Sequence, residues 1–201
     1  MIRAWSIMLV LLLTVIGPKA VVADEIPLRV SVQAFVKPEG NRLNLLMRVP
    51  MDALVEAQFP LRGDVGYIVF SEATGAMESA AMNEILTAIQ VFEDERLLTS
   101  PRLDAVRISL PSDRSFVDYQ SALSNTHGAP LPDSMDLFYR SGFLDIHASF
   151  NINSQDSRFS VDPRLGGLGV ETTTVLRYIL DDGAERTFSF IGNPGRVLLD
   201  P

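Results

Sequence analysis

Two histidines, His127 and His147, are the side chains of this sequence best suited to move a proton or hold a metal near neutral pH, because imidazole changes charge there and coordinates through either ring nitrogen. His147 stands two residues from Asp145 in "FLDIHASFNI". In a strand that spacing puts both on one face, so the pair could share a metal ion or a proton. Two ligands are fewer than a closed metal site needs, and both residues are expected on the outward, solvated face. His147, Asp145 and His127 are therefore the candidate metal ligands. A divalent metal is the one cofactor in view, and no cofactor is the plain expectation.

His127 lies in "SNTHGAPLPDSMD", a stretch rich in turn-forming residues. Ser124, His127 and Asp133 supply the residue types of a hydrolytic triad, but no G-x-S-x-G frames a serine. No catalytic residue is assigned and the chain is expected not to be an enzyme; a soluble periplasmic hydrolase using His127 or His147 stays open as an alternative. "RLGGLGV" at 164–170 has three glycines but leads into a strand, so no helix N-terminus meets an anion. The carboxylates of "FEDE" at 92–95 are expected at the surface end of a helix, where they oppose the dipole.

These residues need elements to position them. "LRVSVQAFV" alternates, with Leu28, Val30, Val32 and Ala34 on one face, and "RLNLLMRV" repeats the pattern after the turn "KPEGN"; the pair reads as an antiparallel hairpin. Met77, Ala81, Ile85, Ala88 and Phe92 then fall at helical spacing, with Thr74 as N-cap. That helical insertion is expected at about 74–94. "RLDAVRISLP" is a strand, and "DRSFVDYQSALSN" a short helix capped by Asp113 or Ser115. "FLDIHASFNI" faces the core with Leu144, Ile146, Ala148, Phe150 and Ile152. "RFSVDP", "VETTTVLRYIL" and "ERTFSFI" complete the strands, the last two joined at Asp181-Asp182-Gly183. Phe188, Phe190 and Ile191 read as a buried strand, and Val197 to Leu199 as a final strand. The expected fold is mainly β, an antiparallel β-sandwich-like domain with one or two helical insertions.

At the front, Arg3, the apolar "WSIMLVLLLTVI", Gly17-Pro18 and "AVVA" make a secretory signal, with cleavage expected after Ala23. The apolar run is shorter than the ~20 residues of a spanning helix. Residues 24–201 would form a single β-rich extracytoplasmic domain. Of 17 Lys and Arg, Arg3 and Lys19 leave with the signal, so 15 basic residues face 25 acidic ones, a net charge of −10. That balance opposes nucleic acid and anionic headgroups. With no cysteine, there is neither disulfide nor thiolate.

The C-terminal stretch "SRFSVDPRLGGLGVETTTVLRYILDDGAERTFSFIGNPGRVLLDP", preceded by "LPDSMDLFYRSGFLDIHASF", resembles the extracytoplasmic N-terminal region of HupE/UreJ-like bacterial membrane proteins. That region ends on a segment like G-x-P-x-x-V-x-L-D-P, matched by Gly192, Pro194, Val197, Leu199, Asp200 and Pro201. The resemblance covers the last third of the chain and, more loosely, the signal and first hairpin. It implies transmembrane helices after Pro201, so that the chain is the outer domain of a longer protein. The domain would be exported, on the periplasmic side of the inner membrane, anchored through that C-terminal helical region, with no nucleic-acid partner and an unidentified protein partner. It further implies a non-catalytic role in recognition or assembly, or alternatively nickel uptake or an accessory role of the intact membrane protein. The metal ligands of that role belong to the helices beyond Pro201, so none is carried onto this sequence.

Overall fold

A strand with one buried face repeats every second residue, and that period builds most of this molecule. A computed structural model describes residues 26–199. The expected signal at 1–23 lies outside the described residues, as do Asp200 and Pro201. β1 (Arg29–Glu39) and β2 (Arg42–Pro50) form the expected antiparallel hairpin, turning at Gly40, whose φ of +59° suits a residue without Cβ. A short 3-10 turn at Met51–Ala53 and the two-residue strands β3 (Leu61–Arg62) and β4 (Tyr67–Ile68) follow.

α1 (Thr74–Ala80) continues through a wide π turn at Ala81–Ile85 and a 3-10 turn at Leu86–Ala88. Ala73, not Thr74, holds the cap position, and no side chain caps this helix. The helical stretch ends at Ala88, so Phe92 belongs to β5 (Ile89–Glu93) rather than to the helical stripe. Ile89 and Val91 are β-branched and bury alternately with Gln90 and Phe92, and pairing to a neighbouring strand overrides the extended helical spacing. "FEDE" consequently sits at a strand end and turn, not at a helix end.

β6 (Arg96–Leu98) and β7 (Arg102–Ser109) precede a 3-10 turn at Ser115–Val117 and α2 (Tyr119–Thr126). The cap of α2 is Asp118, which accepts from the Ser121 N–H at 2.8 Å, in place of the expected Asp113 or Ser115. β8 (Phe143–Asn151), β9 (Phe159–Pro163), β10 (Glu171–Ile179), β11 (Glu185–Ile191) and β12 (Val197–Leu198) complete the chain.

One sheet has the order β11-β10-β1-β2-β8-β7 and a second the order β12-β9-β5-β6. All neighbours are antiparallel except β1 and β10, which run parallel. The fold is mainly β and sandwich-like with helical insertions, as the alternation predicts. Val32, Leu45, Met47 and Ile146 on the large sheet share a core with Val91, Phe159 and Val161 of the small one and with Ile85 and Leu86. Leu199, just past β12, is fully buried there, and its N–H bonds the Phe159 carbonyl at 2.9 Å.

The opposite face of the large sheet is covered too. Phe35, Leu46 and Ile179 form a second cluster with Phe116, Tyr119 and Ala122 from the 3-10 turn and α2. β2 and β8, in the middle of the sheet, are therefore buried along both faces. β11 is the exception to the expected buried strand: it is a sheet edge, Phe188 and Phe190 are half-buried, and Ile191 is 73% exposed.

Candidate functional site

Strand register assembles the polar residues of the covered face. β2 and β8 pair Arg48 with Asp145 and Leu46 with His147, and β7 sets Arg107 beside Asp145. α2 and the turn before it lie over these positions, so Asp145 and His147 are not outward and solvated as the alternation suggests. Asp145 is fully buried and His147 is 8% exposed.

The Asp145 carboxylate is filled by four donors. Arg48 Nε donates to Oδ1 at 2.7 Å and Nη2 to Oδ2 at 2.6 Å. Ser109 Oγ and Asn125 Nδ2 donate to Oδ2 at 2.6 and 3.0 Å. Arg48 also reaches upward, donating to the Asp113 carbonyl, to Asp113 Oδ1 and to Ser115 Oγ at 3.2, 2.8 and 3.0 Å. Its guanidinium lies 4.4 Å from the Phe116 ring centre, a cation–π contact. Arg107 closes the network by donating to both oxygens of Asn125.

Electrostatics follow from burial. Burial pushes the Asp145 carboxyl up, and donation from Arg48 opposes that push. Burial works against the charged Arg48 as well, but the hydrogen bonds and charges of Asp145 and Asp113 outweigh it and raise its hold on its proton. Burial of Asp113 is likewise outweighed, by Ser115 and Arg48, so its carboxyl stays below the usual range. A buried pair of this kind holds together because each charge is hydrogen-bonded on several sides.

The histidines form a neighbouring unit. His127, exposed just after α2, places Nε2 2.8 Å from Nδ1 of His147, and His147 Nε2 lies 3.2 Å from Asn44 Oδ1. The amide oxygen of Asn44 only accepts, so Nε2 of His147 carries the proton and Nδ1 accepts from His127. Asn44 Nδ2 donates to Glu39 Oε2 at 3.1 Å, which fixes the amide orientation. Burial holds His147 below the usual imidazole range, with the nearby Asp104 charge acting against it.

His127 and His147 are thus brought together, while Asp145 is fully buried and turned to Arg48, away from the histidines. Among the described residues no group of three or more His, Asp or Glu is placed to hold a metal ion. Ser124, His127 and Asp133 are not assembled: Asp133 Oδ1 accepts from the Ser71 N–H at 3.0 Å, and no hydrogen bond joins the three. In the glycine run, Gly169 is required by close approach, since a Cβ there would lie 2.7 Å from Val30 Cγ2. Of "FEDE", Glu93 is a buried structural acceptor rather than a surface charge. Its Oε1 takes the N–H groups of Asn153 and Ser154 at 2.6 and 3.1 Å and the Ser157 hydroxyl at 3.0 Å, and Arg96 pairs with Oε2.

Arg48, Ser109, Asp113, Ser115 and Asn125 were not among the sequence candidates. Their one signal was Arg48 set into the apolar end "LLMRV" of its strand, opposite in charge to the Asp145 of a later strand. No protein-family model matches the chain, and no curated protein matches it.

Proposed function

We propose that this chain is an exported, non-catalytic domain serving recognition or assembly, as the outer part of a membrane protein resembling the HupE/UreJ-like family. The observation that carries the non-catalytic part is saturation. The buried polar side chains that most resemble an active site donate to and accept from one another, with Asp145 filled by Arg48, Ser109 and Asn125. A nucleophile or general base needs a free lone pair within reach of a substrate, and Asp145 is fully buried beneath its donors. The network instead welds α2 and its leading turn to the sheet, which suits a rigid surface presented to a partner.

Localisation and partner come from the resemblance in "GNPGRVLLDP" and the signal pattern. Among the described residues no helix is long and apolar enough to cross a membrane, and the helical anchor implied by the resemblance lies outside them. The test is to express the complete natural gene with a tag, fractionate the cells, and probe protease access from the periplasmic side. The expected result is a membrane-bound protein whose residues 26–199 are cut only from outside. Release of the intact protein by osmotic shock, together with hydrolytic activity lost on His127→Ala, would replace this reading with a soluble hydrolase.

A further inference from the structure

The His127–His147 contact lies at the end of α2, where the chain leaves the helix for the loop 128–138. Gly128 N–H bonds the Asn125 carbonyl at 2.9 Å, and Leu131 then lies beside a small cleft shared with Phe70, Met77 and Ile108. The ring-to-ring hydrogen bond at 2.8 Å links the residue just after α2 to β8, two positions beyond Asn125, which ties α2 itself to Asp145.

A hydrogen bond between two imidazoles has a definite proton capacity. With both rings neutral, His127 donates from Nε2 and His147 accepts at Nδ1. A first added proton is tolerated, because an imidazolium still donates to an imidazole across the same gap. A second proton makes both facing nitrogens donors and places two cations with ring centres 5.0 Å apart.

We infer that the His127–His147 pair is an acid-released latch: it holds the chain that leaves α2, residues 128–130, against the sheet while it carries at most one proton, and lets go at the second, whereas Asn125 keeps α2 itself in place and Arg62 and Ser71 keep residues 133–136.

The surrounding charges bear on this. From β7, Asp104 draws a proton towards His147 and Arg102 repels it; from β1, Glu39 draws it; from just after α2, His127 repels it. Asp104 is itself engaged by Arg102 and, at 3.9 Å, by Arg42 of β2, while Glu39 is engaged by Lys37 at 2.6 Å. Asp104 Oδ2 is left without a hydrogen-bond partner, so this carboxylate can offset one of the two positive charges but not both, and Asn44 of β2 offers an oxygen but no charge. Because burial lowers the proton affinity of His147 in the closed form, the open form binds more protons in the window below it. Opening is therefore favoured as pH falls below about 6.5, the ordinary imidazole value, and levels off once His147 titrates in the closed form.

The experiment uses the full chain, which has no native cysteine, with the exposed Ala129→Cys carrying a fluorophore attached at pH 7. Label anisotropy is followed from pH 8 to 4, beside imidazole nitrogen shifts of the two histidines by NMR. The expected result is an open-to-closed ratio rising by up to about tenfold per pH unit below the transition, the slope for one proton. His147→Gln, which keeps an amide at the position but takes no proton, should flatten that rise, and His127→Ala should leave the label mobile throughout. The same acid profile in His147→Gln as in the parent overturns the latch. So does a label that stays ordered where NMR shows both rings protonated, a readout needing no variant to fold. A parent profile that changes with EDTA also overturns it, in favour of a metal between the rings.

Discussion

Arg48 and Asp145 meet as a two-pronged pair, Nε to Oδ1 at 2.7 Å and Nη2 to Oδ2 at 2.6 Å, with side chains 4% and 0% exposed. Removing one partner leaves a buried charge with nothing opposite it, which costs about 3–5 kcal/mol, whereas replacing both can be neutral. Arg48→Met should lower the unfolding free energy by that amount. Arg48→Met with Asp145→Leu should recover most of it, since Ser109 and Asn125 still bond each other at 2.9 Å. Urea titrations of the three proteins check this; equal losses in single and double variants would mean the pair is not the unit.

Glu93 ties the β5 turn to residues 153–157, and its side chain is 1% exposed. Burial alone would raise its carboxyl, but Arg96, the two backbone N–H groups and Ser157 outweigh that and hold it below the usual range. Its contribution is present above about pH 4.3, the ordinary Glu value, and is lost as pH falls through the lowered folded-state value. Glu93→Gln should destabilise the fold by about 1–3 kcal/mol at pH 7, and the gap to the parent should narrow in acid. Thermal melts at pH 7 and pH 3.5 measure both.

Leu199 follows the two-residue β12 and is wholly buried in the main core. Leu199→Ala should cost about 2–5 kcal/mol through lost burial and the cavity left behind. A melting temperature within error of the parent would show that the chain end is not held by the sandwich.

Asp145 is fully buried and turned away from the histidines, and two histidines alone are too few ligands, so micromolar Ni²⁺ or Zn²⁺ added to the full chain should give no binding isotherm by calorimetry. A saturable heat abolished by His147→Gln would restore the metal reading of the histidine pair.

Period-two alternation located β1, β2 and β8, because a half-buried strand writes its faces into the residue order, and β-branched and aromatic composition on either side of Asp181-Asp182-Gly183 located β10 and β11. The same alternation misled at Asp145 and His147. A polar residue on the second face of a strand reads as solvated until something covers it, and whether α2 lies there is not a property of β8. Phe92 shows the other limit: its spacing from Met77, Ala81, Ile85 and Ala88 is helical, but β9 offered a ladder to Ile89–Glu93, and that long-range pairing prevailed. The sequence by itself therefore determined the mainly β class, the hairpins and one core face, all set by neighbours a few residues away. Only the tertiary structure decided that Arg48 meets Asp145 across 97 positions and that His127 meets His147. Those partners are chosen by strand order and by the helix laid across the sheet, which no local pattern encodes.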